Sequence, residues 1–245
     1  MKGMMRFVLI LMSVCTLSCS STSQEGKKLV SGINPELIKF NYSQVSSTEK
    51  YLRSLGLVDI AKHDSSIVID LKYATSDNFT GVILYIEIGN AYLHPLAMEK
   101  LCKASQILNN ENSELRLLIY DAARPLSAQK RMFEVVQGTK YQAYVANPSR
   151  TGLHNYGMAV DLTICDENRV PLDMGTPFDY FGKTAGINDE DLFVSQGLLT
   201  REQVNNRRLL RRVMQESGFI AIRGEWWHFN ACSLSEAQRI AKLIE

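Results

Sequence analysis

The chain has 245 residues and a formal net charge of +1, with 45% hydrophobic and 22% charged residues. This balance is typical of a globular protein and excludes a largely disordered chain. Because the net charge is close to zero, bulk charge predicts no nucleic-acid or other polyanionic partner. Beyond the N-terminus, no run approaches the ~20 apolar residues that a transmembrane helix requires.

The N-terminal residues have the layout of a secretory signal. Two basic residues precede the apolar run 7–14, and small or polar residues surround Cys19. We interpret residues 1–18 as a signal peptide. The segment resembles a bacterial lipoprotein signal with Cys19 as the lipidated first residue, although Thr16 stands where an aliphatic residue is usual. A plain secretory signal cleaved nearby is the alternative. Both interpretations predict export to the bacterial cell envelope. The lipoprotein signal predicts a periplasmic protein whose membrane contact is the lipid anchor on Cys19.

The rest of the chain is predicted to form one domain. Residues 19–32 are rich in Ser, Gly and Lys and have no periodicity, which is typical of a flexible tether. No repeat and no later linker divides the chain, so we predict a single domain over residues 33–245. Its cysteines, Cys102, Cys165 and Cys232, match no CxxC zinc pattern. Free thiols are the preferred interpretation, and one disulfide is the alternative in an exported protein.

Short apolar runs, turn signals and helical patterns follow one another along this domain. The predicted elements are a weakly helical or irregular segment (51–60), a strand (66–73), a turn (77–81), a helix opened by His94-Pro95 (96–108), a strand (115–120), a turn (121–125), a helix (127–136), a strand (158–165), an irregular surface excursion (168–192), a helix (201–217), a strand (219–229) and a helix (234–244). No βαβ rhythm is present. The order therefore predicts an α+β fold with a central, mostly antiparallel sheet flanked by helices.

The strand 158–165 carries the first chemical signal. Apolar residues alternate along it, so one face is predicted to enter the core, and the other face presents Asp161 between small neighbours. A buried charge is costly unless something pairs with it. The alternation therefore predicts a partner for Asp161.

Two histidines and two carboxylates can supply a zinc site. A zinc hydrolase needs three protein ligands and one position for water, and His154, Asp161 and His228 can supply the three ligands. Gly157 predicts a sharp bend that lets His154 and Asp161 reach one ion. Glu225 lies three residues before His228, which places the two side chains on opposite faces of an ideal strand. Both can meet one ion only if a strand end, a bulge or a turn lies there.

The neighbouring residues suggest the roles of a hydrolytic site. Glu225 can act as a general base toward water and then return the proton to the leaving amine. Arg124 follows an apolar strand, with Asp121 three residues before it, and can stabilise an oxyanion. Trp226 and Trp227 are expected to wall the site and limit water.

Each of these residues also has a purely structural alternative. A lone histidine is more often a core or surface group than a ligand, and we keep that interpretation for His63 and His94. Alone, Asp161 would pair locally and Arg124 would form a surface ion pair. The joint pattern favours a site, because independent accidents would have to coincide in spacing.

The pattern His154-x-x-Gly157-x-Ala159-x-Asp161, followed by Glu225-x-x-His228, resembles the M15 family of zinc peptidases. Within that family it is most similar to the D-alanyl-D-alanine dipeptidases. The likeness spans roughly residues 50–232. Further matching blocks lie in order at 70–81, 121–125, 174–179 and 225–228.

The resemblance implies a single-domain α+β fold of the M15, hedgehog-like type. It implies one zinc ion per chain on His154, Asp161 and His228, with Glu225 as general base and Arg124 as transition-state stabiliser.

The resemblance also implies that Tyr73 and Asp179 hold the substrate near its free amine. A carboxylate that faces the ammonium group would reject longer chains. Without the family, Asp179 would be a turn residue and Tyr73 a strand aromatic.

One position departs from the family pattern. Gly152 stands where the family usually has a serine, whose hydroxyl can bind the substrate carboxylate. Backbone N–H groups, Thr151 or Ser149 are the candidates to replace that hydroxyl at this substrate-binding position.

The predicted activity is zinc-dependent hydrolysis of the dipeptide D-Ala-D-Ala in cell-wall peptide metabolism. An M15 D,D-carboxypeptidase or endopeptidase acting on peptidoglycan stem peptides is the first alternative. A non-catalytic, zinc-stabilised module that binds cell-wall fragments is the second. The presence of both Glu225 and Arg124 favours an enzyme, because a binding module needs neither. The oligomeric state stays open at this stage.

Overall fold

The computed structural model describes residues 45–145 and 147–245. The predicted signal peptide 1–18, the tether 19–32 and the start of the predicted domain, 33–44, lie outside the described residues, as does Cys19. Within the described ranges, no helix combines the length and apolar character needed to cross a bilayer.

Helices and strands follow one another irregularly along the described chain. The α-helices are α1 Ser47–Ser54, α2 Ile60–His63, α3 Pro95–Glu111, α4 Leu126–Val136, α5 Glu190–Ser195, α6 Arg201–Glu216 and α7 Leu234–Ile240. The strands are β1 Val58–Asp59, β2 Val68–Ile69, β3 Tyr92–Leu93, β4 Arg116–Asp121, β5 Ala159–Cys165, β6 Ile220–Ala221 and β7 His228–Asn230. Short 3-10 helices lie at Lys72–Ala74, Gln142–Tyr144, Leu153–Tyr156 and Lys183–Ala185.

The main sheet has the strand order β2-β4-β5-β7-β6, and β1 pairs with β3 in a small separate sheet. In the main sheet β2 runs parallel to β4, whereas the β4–β5, β5–β7 and β7–β6 pairs are antiparallel. Helices α3 and α6 contact each other, and they also contact β4 and β5 respectively. The predicted α+β fold with a mostly antiparallel sheet is confirmed.

The two longest helices form where the sequence predicts them, because their ends are capped. The Nδ1 atom of His94 accepts the backbone N–H of Leu96 at the start of α3. The hydroxyl of Thr200 accepts the backbone N–H of Gln203 at the start of α6, which satisfies a donor that the helix itself leaves free. Gly218 follows α6 with a φ of +98°. His94 is thus a helix cap, in agreement with its structural interpretation.

The predicted strand 66–73 is wrong over most of its length, because only Val68–Ile69 forms strand. The chain then turns into the 3-10 helix Lys72–Ala74. The Lys72 ammonium lies 2.8 Å from Asp70 and 3.1 Å from Asp77, so it pairs with acids on both sides of this turn. The turn buries Tyr73.

The predicted strand 219–229 is in fact a hairpin. β6 and β7 pair antiparallel, with Ile220 opposite Asn230 and Ala221 opposite Phe229. The residues between them form the connection, which contains Gly224, a residue typical of turns. The single-strand prediction fails because this turn signal interrupts an otherwise apolar run.

Two further boundaries differ from the prediction. Helix α7 ends at Ile240 rather than at residue 244. The final residues are instead extended, and Ile244 donates its N–H to Asn155 and accepts the N–H of Leu126. The excursion 168–192 was predicted to be irregular, but its end enters helix α5, which buries Phe193.

Strand β5 lies at the centre of the main sheet, and both of its faces are buried. The predicted core face contains Val160, Leu162 and Ile164, all fully buried. The opposite face, with Asp161 and Thr163, is also buried. Phe178 packs against the buried cluster that contains Cys165, at the end of this second face, and Asp161 lines a cavity.

The three described cysteines are free thiols, as preferred from the sequence. Cys165 and Cys232 are buried, and Cys102 is half-buried.

Candidate metal centre and catalytic cavity

Three different elements bring the predicted metal ligands together. His154 lies on the 3-10 helix Leu153–Tyr156, Asp161 on β5 and His228 at the start of β7. Asp161 and His228 are direct cross-strand partners in the β5–β7 register. Gly157, with a φ of +63°, turns the chain between His154 and β5. The bend predicted at Gly157 is confirmed.

The donor atoms of these three side chains are spaced as a metal ion requires. His154 Nε2 lies 3.3 Å from His228 Nδ1 and 3.4 Å from Asp161 Oδ2. His228 Nδ1 lies 2.8 Å from Asp161 Oδ1. Ligand atoms bound at ~2.0–2.1 Å to a tetrahedral zinc ion are about 3.3 Å apart. Each imidazole thus approaches one of the two Asp161 oxygens at about the spacing of zinc ligands, and the three residues could together hold one metal ion.

The outer nitrogen of each imidazole is held by a hydrogen bond. The Nδ1–H of His154 donates to the carbonyl of Ala122 at 2.7 Å, and the Nε2–H of His228 donates to Oδ1 of Asn230 at 2.7 Å. Because these oxygens only accept, each outer nitrogen carries a proton, and the inner nitrogens are the atoms that could bind a metal ion. Burial would lower the pKa of His228, but the Asp161 carboxylate raises it overall, so without a cation the inner nitrogen favours a proton that faces Asp161. A metal ion would take the place of that proton.

Asp161 is held in its charged form. Burial by itself would raise the pKa of Asp161, but the imidazoles of His154 and His228 hold that pKa well below its usual range. The Arg124 guanidinium lies 3.8 Å from the same carboxylate. Asp161 is thus ionised at neutral pH, as a metal ligand must be.

Glu225 lies in the connection between β6 and β7, three residues before His228. The geometric requirement set by the sequence is therefore met, because a turn and not a strand separates the two residues. Burial first, and then the charge of Asp161, raise the pKa of Glu225, while His228 and Arg124 are among the groups that lower it. A raised pKa suits a carboxylate that accepts and then returns a proton.

The two tryptophans beside Glu225 differ in position. Trp227 lines the cavity that contains the ligands. Trp226 packs edge-on against it and donates its Nε1–H to Thr176 at 2.8 Å. The expectation that both residues wall the site therefore holds for Trp227 and is wrong for Trp226.

Arg124 is fixed by two acceptors. Its Nε donates to Asp121 at 2.9 Å, and one terminal nitrogen donates to the same carboxylate. The other terminal nitrogen donates to Gln129 at 2.9 Å. The hydroxyl of Tyr85 donates to the second oxygen of Asp121. Burial would lower the pKa of Arg124, but Asp121 raises it overall, so the guanidinium stays charged.

Tyr73 and Asp179 form a pair on the cavity wall. The Tyr73 hydroxyl donates to Asp179 Oδ2 at 2.9 Å, and the Arg124 guanidinium lies 5.1 Å from the centre of the Tyr73 ring. Asp179 has a φ of +58°, in the left-handed region that aspartate adopts more readily than most residues. Burial first, and then the charge of Asp161, raise the pKa of Asp179 well above its usual value.

The groups predicted to replace the serine hydroxyl either form hydrogen bonds within the protein or lie outside the cavity wall. The N–H of Gly152 donates to Asn155 Oδ1 at 2.9 Å. The Thr151 hydroxyl lies 3.1 Å from the hydroxyl of Tyr156 and bonds to it. Ser149 is not part of the cavity wall.

One cavity of about 410 Å³ unites the predicted residues. All eight predicted site residues line it: Tyr73, Arg124, Gly152, His154, Asp161, Asp179, Glu225 and His228. This volume suits a small substrate.

Some supporting residues were not predicted from the sequence. Asn230 lies two residues after His228 on the same strand, so the alternation of β-strands could have placed it on the same face. Asn155 accepts the N–H of Gly152 and donates to the carbonyl of Arg124 at 2.9 Å. No sequence pattern marks Gln129 as a partner of Arg124, because that contact depends on the turn that precedes α4.

Comparisons with known proteins identify the family of this chain. The model of the peptidase M15 family, described as D-Ala-D-Ala dipeptidase, matches residues 53–244. The chain is 36% identical over 173 residues to a D-alanyl-D-alanine dipeptidase of Escherichia coli (strain K12), an alignment that covers 71% of this chain and 83% of that protein. It is 29% identical over 177 residues to a D-alanyl-D-alanine dipeptidase of Enterococcus faecium, with 65% and 83% covered.

Proposed function

The chain belongs to the M15 family of metallopeptidases, and on this basis we propose that it is a zinc enzyme that hydrolyses the free dipeptide D-Ala-D-Ala to D-alanine. One zinc ion per chain is proposed at His154, Asp161 and His228, whose donor atoms all lie within 4.8 Å of one another.

One observation carries this proposal. Residues from distant parts of the sequence, identified by their chemistry and spacing, line a single cavity together with the metal-binding set. The cavity combines a base, a fixed cation and an anchor for an ammonium group, which together are the parts that hydrolysis of a small peptide requires.

Zinc bound at this site supplies a Lewis acid that polarises the scissile carbonyl and lowers the pKa of a water molecule. Glu225 accepts the proton of the attacking water and returns it to the departing amine. Arg124 stabilises the negative charge that develops on the carbonyl oxygen, and Asp121 and Gln129 keep its guanidinium from rotating away.

Asp179 binds the free ammonium group of the substrate. Tyr73 donates to one oxygen of Asp179, so the hydrogen bond orients the carboxylate and leaves its other oxygen for the ammonium. An ammonium that enters the cavity also favours the charged form of Asp179. A peptide extended at its N-terminus has no such charge to offer at this position, so the pair selects a dipeptide.

The experiment is zinc-dependent release of D-alanine by the purified protein, with free D-Ala-D-Ala compared with a stem pentapeptide that ends in D-Ala-D-Ala. We expect hydrolysis of the dipeptide, its loss on chelation and its recovery on adding zinc. Preference for the pentapeptide would identify a carboxypeptidase. Binding of either peptide without hydrolysis would identify a binding module. Both outcomes reject the proposal.

We also propose that the protein is exported and tethered in the periplasm by a lipid on Cys19. The basic residues, the apolar run 7–14 and the cysteine that follows support this location. Cys19→Ser should move the protein from the membrane fraction to the soluble fraction and abolish labelling by a fatty-acid probe. If the wild type and Cys19→Ser divide equally between membrane and soluble fractions, the lipid anchor is refuted.

A further inference from the structure

Arg150 lies on the wall of the catalytic cavity, close in sequence to Gly152, which lines the same cavity. Its side chain is exposed at the cavity. In the described part of the chain, no carboxylate lies within ion-pair distance of its guanidinium. The cavity wall thus carries an arginine whose charge has no protein partner there.

The other candidates for binding a substrate carboxylate are committed. Gly152 has no side chain, and its N–H donates to Asn155. The Thr151 hydroxyl bonds to Tyr156. Arg124 uses three of its five N–H groups on Asp121 and Gln129.

The charges of the substrate also favour a second cation at the cavity. The three carboxylates on its wall, of Asp161, Asp179 and Glu225, face Arg124 and the proposed zinc ion. A free dipeptide is a zwitterion, so its carboxylate needs a positive partner as much as its ammonium needs Asp179. Arginine suits this task, because its planar guanidinium matches a carboxylate with paired hydrogen bonds.

We propose that Arg150 binds the terminal carboxylate of the substrate and replaces the serine hydroxyl that Gly152 lacks. This inference rests on the proposed function and adds a specificity-determining residue to it. It predicts that the enzyme selects peptides with a free C-terminal carboxylate chiefly through charge.

The experiment compares the dipeptide D-Ala-D-Ala with its C-terminal amide in the zinc-loaded, full-length protein. For Arg150→Gln, we expect the KM for the dipeptide to rise roughly 10- to 100-fold, with kcat changed by less than about threefold, because a charged hydrogen bond is lost from binding. The KM for the amide, which has no carboxylate, should not change. Arg239→Gln is the matched control, since Arg239 is exposed on α7 and lies outside the cavity wall.

A rescue variant tests the replacement itself. A Cβ added at Gly152 would approach only Asn155 Oδ1, at 4.0 Å, so a serine fits there. The double variant Arg150→Gln, Gly152→Ser should recover part of the affinity for the dipeptide. If Arg150→Gln leaves the ratio of KM values for acid and amide unchanged, the inference is wrong.

A binding measurement separates this inference from the proposed function. Calorimetry on the zinc-loaded Glu225→Gln protein, with and without Arg150→Gln, reports the affinity for each ligand without turnover. If the dipeptide and its C-terminal amide bind with equal affinity, with or without Arg150→Gln, the role of Arg150 is refuted even when the wild type is active. If the wild type is inactive but Arg150 still favours binding of the dipeptide over its amide, only the proposed dipeptidase activity is refuted.

Discussion

Among single residues, Glu225 has the most specific predicted role. Its carboxylate lies beside the three metal-binding side chains but is not one of their converging donors. We expect Glu225→Gln to lower kcat about 10²- to 10⁴-fold, because general acid–base catalysis is lost. The affinity for zinc, measured by competition with a chelator, should stay within a few-fold of the wild type. Glu202→Gln, on the exposed face of α6, is the control, and substantial activity in Glu225→Gln would refute the assignment.

Asn230 is the residue whose role we infer only from the structure. Its Oδ1 accepts the Nε2–H of His228 and so directs the Nδ1 lone pair toward the metal position. Loss of such an outer hydrogen bond typically costs 10- to 100-fold in metal affinity. We expect this loss for Asn230→Leu, and recovery in Asn230→Asp, whose carboxylate still accepts.

The tautomer of His228 gives a second readout for Asn230 that does not depend on activity. Nitrogen chemical shifts of the metal-free protein, recorded at a pH at which His228 is neutral, should show the Nε2–H form in the wild type and in Asn230→Asp, and a mixture of forms in Asn230→Leu. Unchanged zinc affinity together with an unchanged tautomer would show that Asn230 has no positioning role.

At the scale of elements, the bend at Gly157 determines whether His154 and Asp161 reach one ion. A Cβ at Gly157 would lie 3.0 Å from the backbone nitrogen of His94 and 3.0 Å from the side chain of Leu57. Gly157→Ala should therefore lower the free energy of unfolding by more than the ~1–2 kcal/mol of a left-handed residue alone. It should also weaken zinc binding, since the bend would shift.

Gly56 is the matched control for this bend. Its φ is +88°, and a Cβ there would meet nothing within 4 Å. Gly56→Ala should lower stability by the conformational cost only and leave zinc affinity unchanged. Urea denaturation and chelator competition measure the two effects. An equal loss of stability in both variants, with zinc affinity retained in Gly157→Ala, would show that the bend does not control the site.

Elements with explicit end signals are predictable from this sequence, whereas elements defined by distant partners are not. His94-Pro95 and Thr200 begin α3 and α6, and these caps act locally. The run 66–73 has the composition of a strand, but it is paired with β4 only at Val68–Ile69 and then turns. Nothing local in the sequence shows how far that pairing extends.

In the candidate site, too, features set by local sequence are predictable and features set by distant contacts are not. The His154, Asp161 and His228 set, whose possible ligand atoms converge in the cavity, could be found from residue type and spacing. The engagement of the Gly152 N–H and the role of Asn230 depend on contacts that only the folded chain displays. The sequence therefore predicts the chemistry of the site better than it predicts how the substrate is held.

At the scale of the whole molecule, the proposed metal-binding side chains come from separate parts of the fold. His154 precedes the central strand, Asp161 lies within it and His228 lies on the neighbouring strand β7. Their possible ligand atoms converge at the centre of the main sheet, so one bound cation would be shared by these parts of the fold. Metal binding should therefore stabilise the native fold as a whole and not only order a loop.

Metal removal tests this coupling. A ligand that binds only the native state at 100 times its Kd adds about 2.7 kcal/mol to the free energy of unfolding, which corresponds to a rise in Tm of roughly 5–10 °C for a domain of this size. We expect such a rise when zinc is added to the metal-free protein. Magnesium, which prefers oxygen ligands, should not reproduce it. His228→Ala, which lacks one ligand, should lose most of the zinc-dependent rise. If zinc raised the Tm of His228→Ala as much as that of the wild type, the stabilising ion would bind elsewhere, and the stabilising role of this centre would be refuted.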